Sequence, residues 1–117
     1  MMQEIPTRLI GIDGGDVLLF ADFEDDGAMW TGTGERECRR HVRFARAFRA
    51  PPQVFVALSV WDFHAGFNTR ADLGTDNVTA EGFDIVFRTW EDTRVARARA
   101  RWMAIGALRD EDDWQLD

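Results

Sequence analysis

The chain contains no lysine and no tyrosine, a single cysteine, three prolines and two histidines in 117 residues. Each scarcity excludes something. Cys38 has no intrachain disulfide partner and cannot build a cysteine-rich metal site, which leaves a half-buried small residue or an intersubunit bridge. His41 and His64 have no second histidine or cysteine at metal-ligand spacing, and no Ser/His/Asp order or Cys/His pair accompanies them. No apolar run approaches membrane-spanning length, which excludes a helical membrane insertion. The start Met1-Met2-Gln3-Glu4 lacks the basic-then-apolar pattern of a signal peptide. Synthesis as a soluble cytoplasmic protein is expected, with any exit by a non-standard route or on a particle.

All 14 basic residues are therefore arginine. That fits a GC-rich, bacterial coding sequence and also supplies planar forks for bidentate contacts to carboxylates. The net charge of −7 opposes a nucleic-acid partner, because phosphates reward a positive field. At 45% hydrophobic residues, with nine Phe and five Trp, the chain can bury a core as one domain over residues 1–117.

The hydrophobic pattern has period two nearly throughout. Leu9-Ile10-Gly11-Ile12 and Val17-Leu18-Leu19-Phe20 flank Asp13-Gly14-Gly15-Asp16, which reads as a hairpin with a Gly-Gly turn rather than a phosphate loop. Asp22 to Gly34 is acidic and glycine-rich, and reads as a solvated loop; the spacing of a Ca²⁺-binding helix-loop-helix is absent. Glu35 to Phe48 reads as a half-exposed strand ended by Pro51-Pro52. Gln53 to Trp61 is almost wholly apolar, as expected of a central strand covered on both faces. Another strand begins at Asn68, and Asp76-Asn77 turns the chain into Glu81 to Trp90. That strand has Phe83, Ile85 and Phe87 on one face, with Asp84, Val86 and Arg88 on the other.

Val95 to Ile105 tests the reading, since alanine and arginine both favour helices. Strict alternation of Arg97, Arg99 and Arg101 with Ala96, Ala98 and Ala100 fits a strand, and a helix would have no apolar stripe. The acidic stretch 107–117 reads as a frayed tail. The expected fold is all-β, a six-stranded antiparallel β-sandwich.

Thr89-Trp90-Glu91-Asp92-Thr93 ends one of these strands in a polar tip carrying an aromatic face and two carboxylates. Such a tip suits a small polyhydroxylated ligand, because the ring covers C–H surface and the carboxylates accept from hydroxyls. The plainer alternative is that Trp90 caps the core and Arg70 only pairs with Asp62 or Asp72.

Several pieces in order carry a family resemblance: Val42-Arg43-Phe44, Phe48, Pro51-Pro52, Val54 to Asp62, Asn68-Thr69-Arg70, Asn77-Val78-Thr79, Gly82-Phe83, Thr89-Trp90 with Asp92-Thr93, and Trp102-Met103-Ala104-Ile105-Gly106. Over residues 42–106 the chain resembles the H-type lectin domain, the family of the snail agglutinin and the C-terminal domain of the discoidins. The resemblance implies a trimer of parallel protomers with sites for N-acetylgalactosamine-type glycans near the subunit boundaries, and no metal or other cofactor. It assigns the ligand-gripping arginine to Arg70, the stacking tryptophan to Trp90 and an acidic-loop carboxylate to Asp26 or its neighbour Asp25. Asn77-Val78-Thr79 then reads as a family turn rather than a glycosylation acceptor.

Two departures stand out. Glu91 follows the tryptophan where the snail agglutinin has histidine, and Ala96 occupies a position where the family often has an aromatic residue. Both changes alter which sugar fits.

The carbohydrate-binding residues expected are thus Asp26, Arg70, Trp90 and Glu91, on a homotrimeric lectin module. Two other classes compete. One is a structural or attachment trimer of a phage-like or cell-surface assembly, with Arg97, Arg99 and Arg101 either at the subunit seam or on a solvated face. The other is a glycosidase using Asp25, Asp26 and Glu91, which requires carboxyl groups about 5–9 Å apart, a distance the sequence does not fix. The chain is read as a binding protein, not an enzyme.

Overall fold

The computed structural model describes residues 1–109; the acidic tail expected over 107–117 lies mostly outside the described residues. Six strands run in chain order β1 Ile10–Phe20, β2 Arg36–Arg43, β3 Gln53–Phe63, β4 Asp72–Asp76, β5 Gly82–Thr89 and β6 Val95–Ala107. They form two three-stranded antiparallel sheets, β1-β6-β3 and β2-β5-β4. The fold is the expected all-β sandwich. No described helix is long and apolar enough to cross a membrane.

Period-two patterning makes the core. Phe83, Ile85 and Phe87 of β5 face inward, all fully buried, and meet Ala98, Ala100, Trp102 and Ala104 from β6. Phe83 and Trp102 meet edge-on at 5.4 Å between ring centroids, and Phe44 stacks on Phe83 at 5.7 Å. The alanines of β6 keep this central strand slim on its inner side, so large aromatic rings opposite have room. The strand reading of the Ala/Arg alternation holds because the arginines all emerge on the outer face.

The structure corrects five local expectations. Gly14-Gly15 is not a hairpin turn: β1 runs unbroken through both, paired with Met103 and Trp102 of β6. Their role is close approach, since a Cβ at Gly15 would lie 2.8 Å from the Trp102 indole nitrogen. A glycine pair reads as a turn in sequence because a large partner from a distant strand cannot be foreseen.

The segment Asp22 to Gly34 is not a plain loop but two short helical turns, α1 Asp22–Asp25 and α2 Ala28–Thr31. Asp22 organises them: its carboxylate accepts from the Met29 N–H at 2.9 Å and its carbonyl from the Gly27 N–H. A side chain at Gly27 would collide with that carboxylate.

Strand β3 is an edge strand with one covered face, not a central strand covered on both. Phe55 and Trp61 are 60% and 61% exposed. Finally, β4 begins at Asp72 rather than Asn68, and β2 stops at Arg43. Beyond β2, the Phe44 and Phe48 N–H groups donate to the Glu81 and Ala80 carbonyls, tying the Pro51-Pro52 connection down.

Candidate functional site

Antiparallel pairing sends residues 21–35, 64–71 and 90–94 to the same end of the sandwich. Phe20 and Ala98 are partners there, as are Phe63 and Val95, and Arg36 and Thr89. All four residues expected to bind sugar, separated by up to 65 positions, therefore stand on loops at one end (from Asp26 to Glu91).

The 90–94 turn is held in an unusual shape. Glu91 has φ 58°, a left-handed conformation disfavoured for a residue with a side chain. Its carbonyl is clamped by the Gly34 N–H at 2.8 Å and by the Arg36 guanidinium at 3.1 Å. Arg36 also donates to the Gly34 and Met29 carbonyls, at 2.9 and 3.3 Å. One guanidinium thus ties α2 and the β1–β2 connection to the Glu91 turn. Burial, with the nearby Arg94 charge, lowers the Arg36 pKa from its ordinary value.

Arg70 sits between two threonines that fix its loop. Thr89, 1% exposed, donates to the Arg70 carbonyl at 2.6 Å, and Thr93, fully buried, donates to the Asn68 carbonyl at 2.6 Å. The Arg70 side chain donates to the Asp92 carboxylate at 2.5 Å and to the Thr93 hydroxyl at 3.3 Å, and lies 3.6 Å from the Glu91 carboxylate. Pairing with Asp62 or Asp72 does not occur; those acids face Arg97 and Arg88. The Arg70 side chain stays 23% exposed and Glu91 70%, so donors and acceptors remain reachable from solvent. Trp90 is 37% exposed rather than a core cap, and walls a cleft beside this group.

Arg70, Trp90 and Glu91 are thus gathered in one place. Asp26 stands on the neighbouring turn, in a left-handed conformation at φ 56°, with its carbonyl accepting from the Thr31 hydroxyl. Its carboxylate has no part in the Arg70–Glu91–Asp92 network. Ala96 is buried at the start of β6 and does not reach the rim.

Sequence reasoning missed Asp92 as the partner of Arg70, although the Thr-Trp-x-Asp-Thr string contained it. It also missed Arg36, which carried no local signal, and an aromatic row beneath the rim. There Trp30 lies against His64 and His64 against Phe67, with centroid distances of 5.4 and 4.9 Å, and the Arg94 guanidinium covers Phe67 at 4.7 Å. His41, exposed at the opposite end of the sandwich, pairs with Asp84 at 2.8 Å.

The chain is similar to several known proteins. It is 50% identical over 108 residues to the ATP synthase subunits region ORF 7 protein of Fuscovulum blasticum, covering 92% of this chain and 94% of that one. It is 36% identical over 81 residues to a discoidin-1 polypeptide of Dictyostelium discoideum, covering 68% of this chain and 32% of that protein. In three dimensions it matches discoidin II of Dictyostelium discoideum with a TM-score of 0.75 at 24% identity, over 90% of this chain and 40% of that one. The chain therefore spans about a third of the length of the discoidins, but nearly all of the Fuscovulum protein. The family model for the H-type lectin domain matches residues 39–105, and the chain belongs to the H-type lectin domain family.

Proposed function

We propose that this chain is a non-catalytic carbohydrate-binding module, a homotrimer that takes hexose or N-acetylhexosamine-type glycans through Arg70, Trp90, Glu91 and Asp26. The observation that carries the reading is Arg70, fixed by Thr89 and Asp92 beside the half-exposed ring of Trp90. Arg70 donates a fork of hydrogen bonds to a hydroxyl or acetamide oxygen, Glu91 and Asp26 accept from hydroxyls, and Trp90 covers a C–H face of the sugar. Glu91, standing where the snail agglutinin has histidine, offers an acidic acceptor for hydroxyl donors and so changes which sugar fits.

Each hydroxyl exchanges a water hydrogen bond for a protein one at a net gain of roughly 1 kcal/mol, so a single site binds weakly. Three sites on one particle raise avidity by a factor of about 10²–10⁴ when a surface presents several glycans. Support for the trimer comes from the outer face of the β1-β6-β3 sheet, where Ile10, Ile12, Phe55 and Met103 are 52%, 69%, 60% and 43% exposed. Exposed apolar surface of this extent marks an interface. Arg97, Arg99 and Arg101 cross the same face. Their acid partners come from their own chain: Arg99 donates to Asp16 at 2.9 Å and Arg97 lies 3.8 Å from Asp62.

The same apolar face favours a second reading, a trimeric attachment or structural module without a sugar. A glycan array probed with the native protein and with Arg70→Ala separates the two. Sugar signals that vanish in the variant support the lectin reading; no signal from the native trimer leaves the structural one.

A further inference from the structure

The outer face of the β2-β5-β4 sheet carries a cleft of about 670 Å³ next to the rim, lined in part by Glu35, Glu37, Asp72, Arg88 and Trp90. That volume lies within the range of small-ligand sites, roughly 300–1,000 Å³. Its floor is one register row across all three strands, with Arg88 of β5 opposite Glu37 of β2 and Asp72 of β4. Arg88 donates from Nε to Glu37 at 3.0 Å and lies 3.8 Å from Asp72. Trp90, two residues beyond Arg88, shares its face and forms the wall. The same indole borders the Arg70–Glu91 group, so cleft and rim are contiguous through one ring.

The polar lining is rich in acceptors. Glu35 has no partner among the described residues, whereas Arg88 is committed to its two carboxylates and Arg36 turns its donors onto backbone carbonyls. Three carboxylates against one bound guanidinium and one turned away repel an anion and accept from hydroxyls. An aromatic wall beside acceptors is the chemistry that recognises an uncharged pyranose.

We propose that this cleft is a second sugar subsite, which takes an uncharged pyranose linked to the sugar held at Arg70 and Trp90 and rejects one bearing a carboxylate. It rests on the sugar-binding reading above. The ligand class is then an oligosaccharide of at least two residues, neutral at the second.

Titration calorimetry of the full chain tests it with methyl glycosides of N-acetylgalactosamine, galactose and N-acetylglucosamine. Each is used alone and as disaccharides with glucose or with glucuronic acid, in 1,3 and 1,4 linkage. For the monosaccharide that binds, a glucose disaccharide is expected to bind roughly tenfold tighter, the worth of one or two added hydrogen bonds. The glucuronic acid disaccharides should show no gain. In the Glu37→Gln/Asp72→Asn double variant, Arg88 loses its carboxylates and the preference should reverse toward glucuronic acid. Equal affinity for mono- and disaccharide, or unchanged preference in the double variant, overturns the second subsite and leaves the first intact. No binding of any sugar to the native chain overturns both.

Discussion

The Thr89 hydroxyl donates a 2.6 Å hydrogen bond to the carbonyl of Arg70, joining the end of β5 to the loop that precedes β4. Thr89 is 1% exposed, so water does not substitute for it. This is a structural bond with a functional address, because it fixes the backbone from which the Arg70 guanidinium reaches Asp92. Thr89→Val keeps the shape and removes the donor. It should destabilise the fold by about 1–3 kcal/mol through the unsatisfied carbonyl. Sugar affinity should fall as well, although the side chain of residue 89 is buried. Urea unfolding and a sugar titration on the same preparation measure the two effects.

Glu91 supplies a carboxylate to the rim from a left-handed backbone position that glycine adopts without cost. Glu91→Gly should relieve about 1 kcal/mol of backbone strain while deleting the acceptor. Thermal unfolding should therefore shift upward and sugar binding should weaken. A variant that loses both stability and binding would mean that the Arg70–Glu91 ion pair outweighs the strain.

The opposite end of the sandwich has its own electrostatic signature. Asp84 is held below the ordinary carboxylate range by the Asn77 amide, then His41 and Arg39; Asp76 is held down chiefly by Arg39. A carboxylate depressed in the folded state adds stability above its unfolded pKa, about 3.9, and loses it as pH falls through the folded value. Arg39→Ala should therefore lower the urea midpoint at pH 6, and that difference should shrink toward zero as the pH drops below 4. A difference that persists at pH 2 would assign the effect to packing instead of charge.

Much of this was legible in the sequence, and the failures share a cause. Strand periodicity located β5 and β6, and even the Ala/Arg alternation resolved correctly, because period two is a local property. What misled were residues whose role is set by a distant partner. Gly14-Gly15 mimics a turn but makes room for Trp102. Gln53 to Trp61 looks doubly buried, yet its outer residues lie open in the single chain. At the site, the Thr-Trp string led to Trp90 and Glu91, and the resemblance led to Arg70. The plainer alternative paired Arg70 with Asp62 or Asp72 and no reading pointed to Asp92, since sequence distance gives no clue that the 90–94 turn folds back over the 64–71 loop. Arg36, 55 residues from the Glu91 carbonyl it clamps, had no visible pattern at all.

The open face of β1-β6-β3 bears directly on assembly. Ile12 and Met103 lie on adjacent strands, on the face where Ile10 and Phe55 are also exposed. Ile12→Glu combined with Met103→Glu should convert a trimer to monomers in sedimentation velocity, with the far-ultraviolet spectrum of the β-sandwich retained. An unchanged trimer would place the seam elsewhere.

Difference density from crystals soaked in a panel of hexoses and N-acetylhexosamines decides whether Arg70 and Trp90 form a sugar site. The expected result is a pyranose against the Trp90 indole with an oxygen within hydrogen-bond distance of the Arg70 guanidinium. A sugar bound only away from these two residues, or none at saturating concentration, would contradict it.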